Sequence, residues 1–211
     1  MTSEYSENEP ERSVDRNELK AEKPLAEMSL EGLWHLFPIV LVPHDNGWVS
    51  QFEEEAQALK TILAGKIVKS INHIGSTAVD VIWAKPIVDI LIELDISEDM
   101  PEVSRLLTSN GYICMNRSGN RISLNKGYTP DGFAEKVFHI HLRHDGDCPE
   151  IRFRDILRAR PEIAKEYESL KLSLWGSHQH LHQKLNDGFV YILSMHLYVL
   201  YIAYLLYLNT N

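Results

Sequence analysis

Several sequence patterns that would assign a function at once are absent from this 211-residue chain. Its two cysteines, Cys114 and Cys148, lie far apart without CxxC or Cys/His zinc spacing, so neither a disulfide framework nor a structural zinc is indicated. The net charge of −9 provides no basic surplus for displacing counterions from phosphates, so no nucleic-acid partner is expected. The N-terminus has no apolar run, which argues against a secretory signal. A reduced, cytoplasmic setting fits these absences.

The composition that is present predicts one globular domain with two tails. Hydrophobic residues make up 44% of the chain and charged residues 24%, which is ordinary for a folded domain. Residues 1–30 are rich in Glu, Ser, Asn and Lys and predict a disordered acidic arm, since they cannot bury enough apolar surface to offset the entropy of ordering. Residues 33–186 are predicted to form the domain, and residues 187–211 an apolar C-terminal helix or tail.

The apolar C-terminal segment allows two interpretations. Residues 189–208 contain no Asp, Glu, Lys or Arg and are about long enough to span a bilayer, which takes roughly 20 residues. However, the five tyrosines of the segment are spread along its length, whereas membrane helices keep tyrosine mainly at the two interfaces. We therefore favour a helix docked on the domain, or a homo-oligomer contact, over a membrane anchor.

The apolar periodicity predicts an α/β (α+β) fold. Strands and helices interleave without a regular βαβ rhythm, which favours a mixed sheet flanked by helices, with further helices at the C-terminus, over a doubly wound parallel sheet. The predicted strands are 67–74, 86–94, 112–115, 121–124 and 137–142. The predicted helices run from Asp45 or Asn46 to Gly65, from Pro101 through 106–107 to Gly111, and over 149–159 and 161–175.

The residues that suggest chemistry lie between positions 73 and 93. A predicted strand ends at Gly75-Ser76, and the next buried strand carries the carboxylate Asp89. A Gly-Ser turn directs backbone N–H groups and a hydroxyl to one point, which suits a phosphate, and a carboxylate on the adjoining strand can hold the accompanying metal. The arrangement is typical of a nucleotidyl-transfer site, although Gly-Ser by itself marks ordinary turns more often.

These residues and several motifs around them resemble the GrpB family (the UPF0157 group), whose members have a fold like the polymerase-β-type nucleotidyltransferases. The central motifs are His-Ile-Gly-Ser-Thr-Ala-Val at 73–79 and Ala-Lys-Pro-Ile-Val-Asp-Ile at 84–90. The resemblance continues in the opening segment at 40–52, in the His-x-His strand at 138–142 and in the helical signature at 152–171. It covers residues 39–186, and the common order of the motifs makes it specific.

The resemblance implies a site for a nucleoside triphosphate. Gly75, Ser76 and Thr77 would hold phosphate, and Asp89 would be the catalytic residue and the metal ligand, with Mg²⁺ as the candidate cofactor. An unknown small acceptor would be the second substrate. The further candidates for contact with the phosphates are His73, Lys85, His139, His141, Arg152, Arg154 and Lys184.

The sequence departs from the family pattern at two places. The superfamily places two carboxylates two residues apart on one strand face, where they can bridge divalent metals. Here the second position is Leu91, and Glu93 lies roughly 13 Å from Asp89 along the strand, too far to share one ion. A single carboxylate holds Mg²⁺ weakly with water and phosphates, but it is a poor two-metal catalyst. Asp80-Val81 stands where the family generally has Pro-Gly.

Each candidate side chain also has a structural interpretation. Asp89 is either a ligand or a buried carboxylate satisfied by a basic neighbour, for which Lys85 is the candidate. His139 and His141 alternate onto one strand face, so they either meet a ligand together or serve the fold. His73 is expected to be a packed histidine that orients the turn.

The arginines of the predicted helix at 149–159 leave a similar choice. Arg152, Arg154 and Arg158 either clamp a phosphate, for which the planar guanidinium is suited, or pair with acids on adjoining helices.

Two functional hypotheses follow. The first is a GrpB-like enzyme that transfers a nucleotidyl group to a small acceptor with Mg²⁺. The second is a non-catalytic nucleotide-binding or protein-interaction module that kept the phosphate loop and lost the metal pair, as Leu91 suggests. A membrane-tethered form through residues 189–208 is a third alternative.

Overall fold

A computed structural model of the chain describes residues 36–181, with backbone alone from residue 177 onward. The predicted arm at 1–30, Lys184 and the apolar segment at 187–211 lie outside the described residues. Among the residues that are described, no helix is long and apolar enough to cross a membrane.

A five-stranded mixed sheet forms the centre of the fold. Its strands are β1 (Val68–Ile74), β2 (Val88–Leu94), β3 (Ile113–Ser118), β4 (Arg121–Thr129) and β5 (Gly132–His144). They lie in the order β1-β2-β5-β4-β3. Strands β2 and β5 run parallel, and every other neighbouring pair of this sheet is antiparallel. The prediction of a mixed sheet is therefore confirmed.

Helices flank the sheet where the sequence periodicity predicts them. They are α1 (Gly47–Ile62), α2 (Met100–Thr108), α3 (Pro149–Ala159) and α4 (Pro161–Leu181), and a short 3₁₀ helix spans Ser76–Ala78. The Asp45 carboxylate accepts a hydrogen bond of 2.8 Å from the backbone N–H of Gly47, which satisfies one free donor at the start of α1. Beyond its end, Gly65 has a φ of +91°, a conformation that glycine adopts without strain.

The sheet is longer than the sequence predicts at β4 and β5. The two strands continue into a hairpin in which Tyr128 pairs with Phe133 and Thr129 with Gly132. The polar and charged residues of this hairpin conceal the apolar alternation from which strands are predicted. An irregularity at Gly127 also interrupts the pairing, because φ is +89° there and an added Cβ would collide with the Lys136 carbonyl.

The two faces of the sheet differ sharply. Residues paired across neighbouring strands share a face, so the ladder defines which side chains lie together. One face is apolar, includes Ile90 and Ile140, and packs with α1 and α2 in the main core. The opposite face carries Asp89, which pairs with His139, and it is the face on which the candidate site lies.

A second apolar cluster supports the segment between β1 and β2. Val79 and Ile82 from this segment pack with Leu157 of α3 and with Ala164 and Tyr167 of α4. Helices α3 and α4 therefore support the segment that follows the Gly-Ser turn, and strand β2 supports the turn from the sheet.

Candidate functional site

The Gly-Ser turn lies directly against Asp89. Gly75 connects β1 to the 3₁₀ helix with φ of +72° and ψ of −170°, a combination that only glycine adopts readily. A Cβ at this position would stand 3.0 Å from Asp89 Cγ and would overlap Oδ2. The turn and the carboxylate thus form one unit, and this unit exists because residue 75 has no side chain.

Asp89 is held by the two histidines of β5. The parallel register places His139 opposite Asp89 and His141 opposite Leu91. His139 Nδ1 and His141 Nε2 each lie 3.3 Å from Asp89 Oδ1. The alternation that predicts a shared face for the two histidines is therefore realised, and their partner is Asp89.

A tyrosine extends this chain of polar contacts. The Tyr128 hydroxyl lies 2.8 Å from His139 Nε2. An ionised carboxylate only accepts hydrogen bonds, so His139 donates from Nδ1 to Asp89 and meets the tyrosine with its other ring nitrogen. Tyr128 thereby fixes the orientation of the imidazole.

The histidine contacts keep Asp89 ionised. Burial raises the pKa of Asp89, but the hydrogen bonds and charges of His139 and His141 lower it more, so its pKa lies well below the usual range. The carboxylate is therefore an anion at any neutral pH.

A buried lysine reaches the same turn from helix α4. Lys171 is 5% exposed, and its Nζ donates to Ser76 Oγ at 3.0 Å and to the Trp83 carbonyl at 2.6 Å. The Nζ also lies 4.6 Å from the centre of the Tyr167 ring. Burial lowers the pKa of Lys171 to about 8, and the nearby Glu168 carboxylate offsets this in part.

Lys171 is not among the site residues that we predict from the sequence. The sequence does contain a pattern that indicates it, since Ala164, Tyr167 and Lys171 follow one another at steps of three and four on the buried side of α4. A lysine on the apolar face of a helix is rarely buried unless it has a partner, so this spacing predicts that Lys171 contacts a polar group inside the fold.

Lys85 lies beside an aromatic cluster. Its Nζ is 5.0 Å from the centre of the Phe133 ring, and Phe133 in turn contacts Tyr128 and Phe37. Burial lowers the pKa of Lys85, and the field of Asp89 raises it to a smaller extent. Lys85 therefore lies within electrostatic range of Asp89, but the direct contacts of the carboxylate are with the histidines.

His73 and Thr77 lie behind the turn. His73 pairs with Ile90 and so belongs to the apolar face, where its ring stacks on Phe52 at a centroid distance of 5.0 Å. Its Nε2 lies 3.0 Å from Thr77 Oγ1, and the Thr77 hydroxyl lies 3.2 Å from the Ile87 carbonyl. The structure therefore places both residues in the packing beneath the turn, as the structural interpretation of His73 predicts.

The arginines of α3 contact the backbone of the turn region. Arg154 Nη1 donates to the His73 carbonyl and Arg158 Nε to the Ala78 carbonyl, each at 2.8 Å. Arg152 is exposed on the helix surface. Two of the three arginines therefore hold the two ends of the turn in place.

The residues around Asp89 do not fit the Mg²⁺ that the resemblance implies. Mg²⁺ requires oxygen ligands in near-ideal octahedral geometry. Leu91 is fully buried where a second carboxylate would stand, and Asp89 Oδ1 already meets two imidazole nitrogens. Across residues 36–181, no group of three His, Cys, Asp or Glu side chains is arranged to hold a metal ion.

The mixed sheet, the Gly-Ser turn and its strand aspartate define an α+β protein with a candidate functional site at the turn. The chain belongs to the GrpB family, because the model of that family, described as GrpB protein, matches residues 38–188. The resemblance drawn from the motifs is thus confirmed.

The relatives agree with this assignment. The UPF0157 protein YqkA of Bacillus subtilis (strain 168) is 34% identical over 156 residues, which cover 71% of this chain and 44% of that protein. The chain therefore spans less than half of this relative's length.

One solved structure that the chain resembles belongs to the same family. The crystal structure of the conserved protein GrpB from Enterococcus faecalis matches with a TM-score of 0.58 and 29% identity, covering 78% of this chain and 99% of that chain. A weaker likeness is to the Cid1 poly(U) polymerase, with a TM-score of 0.43 and 12% identity over 55% of this chain and 38% of that one. The latter carries no conclusion about function.

Proposed function

We propose that this GrpB-family chain binds a nucleotide, with the phosphates at the turn formed by Gly75 and Ser76 and with Lys171 as the cation that neutralises them. The observation that carries the proposal is the Lys171 ammonium group, which is buried and lies 3.0 Å from the Ser76 hydroxyl. Such a pair offers one charged and one neutral donor to the same anion.

The charge balance around the turn supports an anionic ligand. Lys171 donates to Ser76 within the turn, and Lys85 lies within electrostatic range of Asp89. The two imidazoles of His139 and His141 both contact Asp89, and the Glu168 carboxylate near Lys171 forms its ion pair with Lys165. A phosphate at the turn supplies the negative charge that the Lys171 ammonium group can bind.

Binding rather than transfer is the function that the site supports. Nucleotidyl transfer relies on a pair of carboxylates that bridges metals between substrate and nucleophile. Leu91 fills the second position of that pair and is fully buried. The module hypothesis is therefore preferred over the transferase hypothesis, and neither the base nor a second substrate is assigned.

A calorimetric titration tests the proposal. ATP, GTP, CTP and UTP are each titrated into the full chain at pH 7, and at least one is expected to bind. Lys171→Met should weaken that binding at least tenfold, because it removes the cation and keeps the volume of the side chain.

Lys165→Met is the matched control. Lys165 lies on the same helix with its side chain 57% exposed, and it donates to Glu168 and to the Val81 carbonyl, away from Ser76. The nucleotide affinity of the Lys165→Met protein should equal that of the wild type. Circular dichroism should show that both variants are folded. Absence of binding by all four nucleotides would refute the proposal, as would equal binding by the Lys171 variant.

A further inference from the structure

The side chains around Asp89 do not fit the divalent metal that the fold family implies. A metal-binding aspartate must keep at least one oxygen lone pair directed at the ion. Asp89 Oδ1 instead lies 3.3 Å from a ring nitrogen of His139 and 3.3 Å from one of His141. Its Oδ2 occupies the space in which a Cβ of residue 75 would stand.

No second carboxylate is placed to assist Asp89 on this strand. Leu91, the next residue on the same face, is fully buried. Glu93 comes after it and is committed to other partners, since it accepts hydrogen bonds from Ser70, from Asn72 and, at 2.9 Å, from the Cys148 thiol. The strand therefore offers one carboxylate to the turn, and one oxygen of that carboxylate already meets two imidazole nitrogens.

Two lysine side chains approach the turn and its carboxylate. Lys171 donates to Ser76 within the turn, and Lys85 lies within electrostatic range of Asp89. Both are partly or fully withdrawn from solvent, where a charge interacts more strongly with an anion than it does in water.

We infer that Asp89 is the counter-ion that holds His139 and His141 in place, and that the turn binds the polyphosphate of a nucleotide without a divalent metal. The inference rests on the proposed function and assigns the form of the ligand that the site takes. In this arrangement the ammonium groups of Lys171 and Lys85 perform the charge neutralisation that Mg²⁺ performs in a two-carboxylate site.

The effect of Mg²⁺ on binding tests this inference independently of the proposed function. Inorganic triphosphate, and the nucleotide found to bind, are titrated into the full chain in EDTA and again in excess MgCl₂. The inference predicts an affinity in EDTA at least equal to that in MgCl₂. Binding only in MgCl₂ overturns the inference and leaves the proposed function standing, whereas absence of binding in both overturns the two together.

Substitution of Asp89 gives an independent test of the metal requirement. Asp89→Asn keeps the shape of the side chain and removes its charge, so the ratio of the triphosphate affinity in MgCl₂ to that in EDTA should be the same in the variant as in the wild type. If Asp89 were a metal ligand, the same change would abolish a metal-dependent gain in affinity, and that result would overturn the inference. Glu93→Gln, on the same strand face but in its own hydrogen-bonded cluster, is the matched control and should leave the affinity unchanged.

Discussion

Gly75 lies so close to Asp89 that the turn has room for the carboxylate only because residue 75 lacks a Cβ. An added Cβ would stand 3.0 Å from Asp89 Cγ, and the backbone of Gly75, with φ of +72° and ψ of −170°, occupies a region that other residues avoid. The backbone dihedral angles and the contact with Asp89 therefore each require glycine at position 75.

Gly75→Ala should therefore destabilise the fold by about 3 kcal/mol, since the backbone strain and the contact with Asp89 both add to the cost. Urea unfolding followed by circular dichroism measures the change. Gly111→Ala is the control, because Gly111 has φ of +88° but nothing within 4 Å of an added Cβ. It should cost only about 1 kcal/mol. Equal effects of the two substitutions would show that the contact with Asp89 is relieved without cost.

A buried carboxylate links helix α1 to the sheet. Glu55 is 6% exposed, accepts from Lys126 Nζ at 2.8 Å with each oxygen, and accepts a hydrogen bond from the Tyr112 hydroxyl. Glu55→Ala should cost about 3 kcal/mol in unfolding free energy, because the partly exposed Lys126 ammonium group and the buried Tyr112 hydroxyl lose the partner that they share.

The neighbouring Glu54 provides the comparison for Glu55. Glu54 pairs with Lys136, and its side chain is 65% exposed. Glu54→Ala should change stability by no more than about 0.5 kcal/mol, since exposed ion pairs contribute little. A cost for Glu55→Ala that did not exceed this value would contradict the account of the buried cluster.

Much of the fold could be predicted from the sequence because helices and buried strands are marked by local periodicity. The helix from Asn46 to Gly65 and the strand that contains Asp89 are examples. The hairpin around Tyr128 could not be predicted, because its polar residues are held in strands by pairing with residues beyond the turn.

Individual residues of the site could be predicted, but the contacts between them could not. The turn at Gly75-Ser76 and the histidines on β5 were identified from motif and alternation. Their meeting with Asp89 depends on the parallel register of β2 and β5, which joins residues 50 positions apart and leaves no local trace. Lys171 approaches from a helix still further along the chain, and only the packing of α4 brings it to Ser76.

His73 makes stability depend on pH. Burial lowers the pKa of His73 to about 4, against 6.5 for the exposed side chain. The folded state therefore binds fewer protons than the unfolded state between these values, so stability falls as pH decreases from about 6.5 to 4, by up to about 3 kcal/mol. Unfolding free energies measured across this range should decline less in His73→Gln, which does not titrate. Identical declines in both proteins would contradict the assignment.

The titration of Lys171 should make the nucleotide affinity fall at alkaline pH. Its pKa of about 8 in the free protein means that the ammonium group is lost above this pH. Affinity should fall by about twofold from pH 7 to 8 and then by about tenfold per pH unit, until the pKa of the bound form is reached. The phosphates do not titrate there, since their last pKa is about 6.

Lys171→Arg separates this titration from a general effect of alkaline pH. The guanidinium stays charged throughout, so a variant that binds should show no fall in affinity above pH 8. A parallel fall in wild type and variant would assign the pH dependence to another group.

The most direct measurement of the central claim is the pKa of Lys171 itself, with and without nucleotide. Lysines labelled with ¹³C at Cε are followed by NMR as pH is raised, and the Lys171 signal is assigned by its absence in Lys171→Met. If phosphate binds at Ser76, saturating nucleotide should raise the pKa of Lys171 from about 8 toward the ordinary value of 10.5. An unchanged pKa at saturation would contradict the claim that Lys171 binds the phosphates.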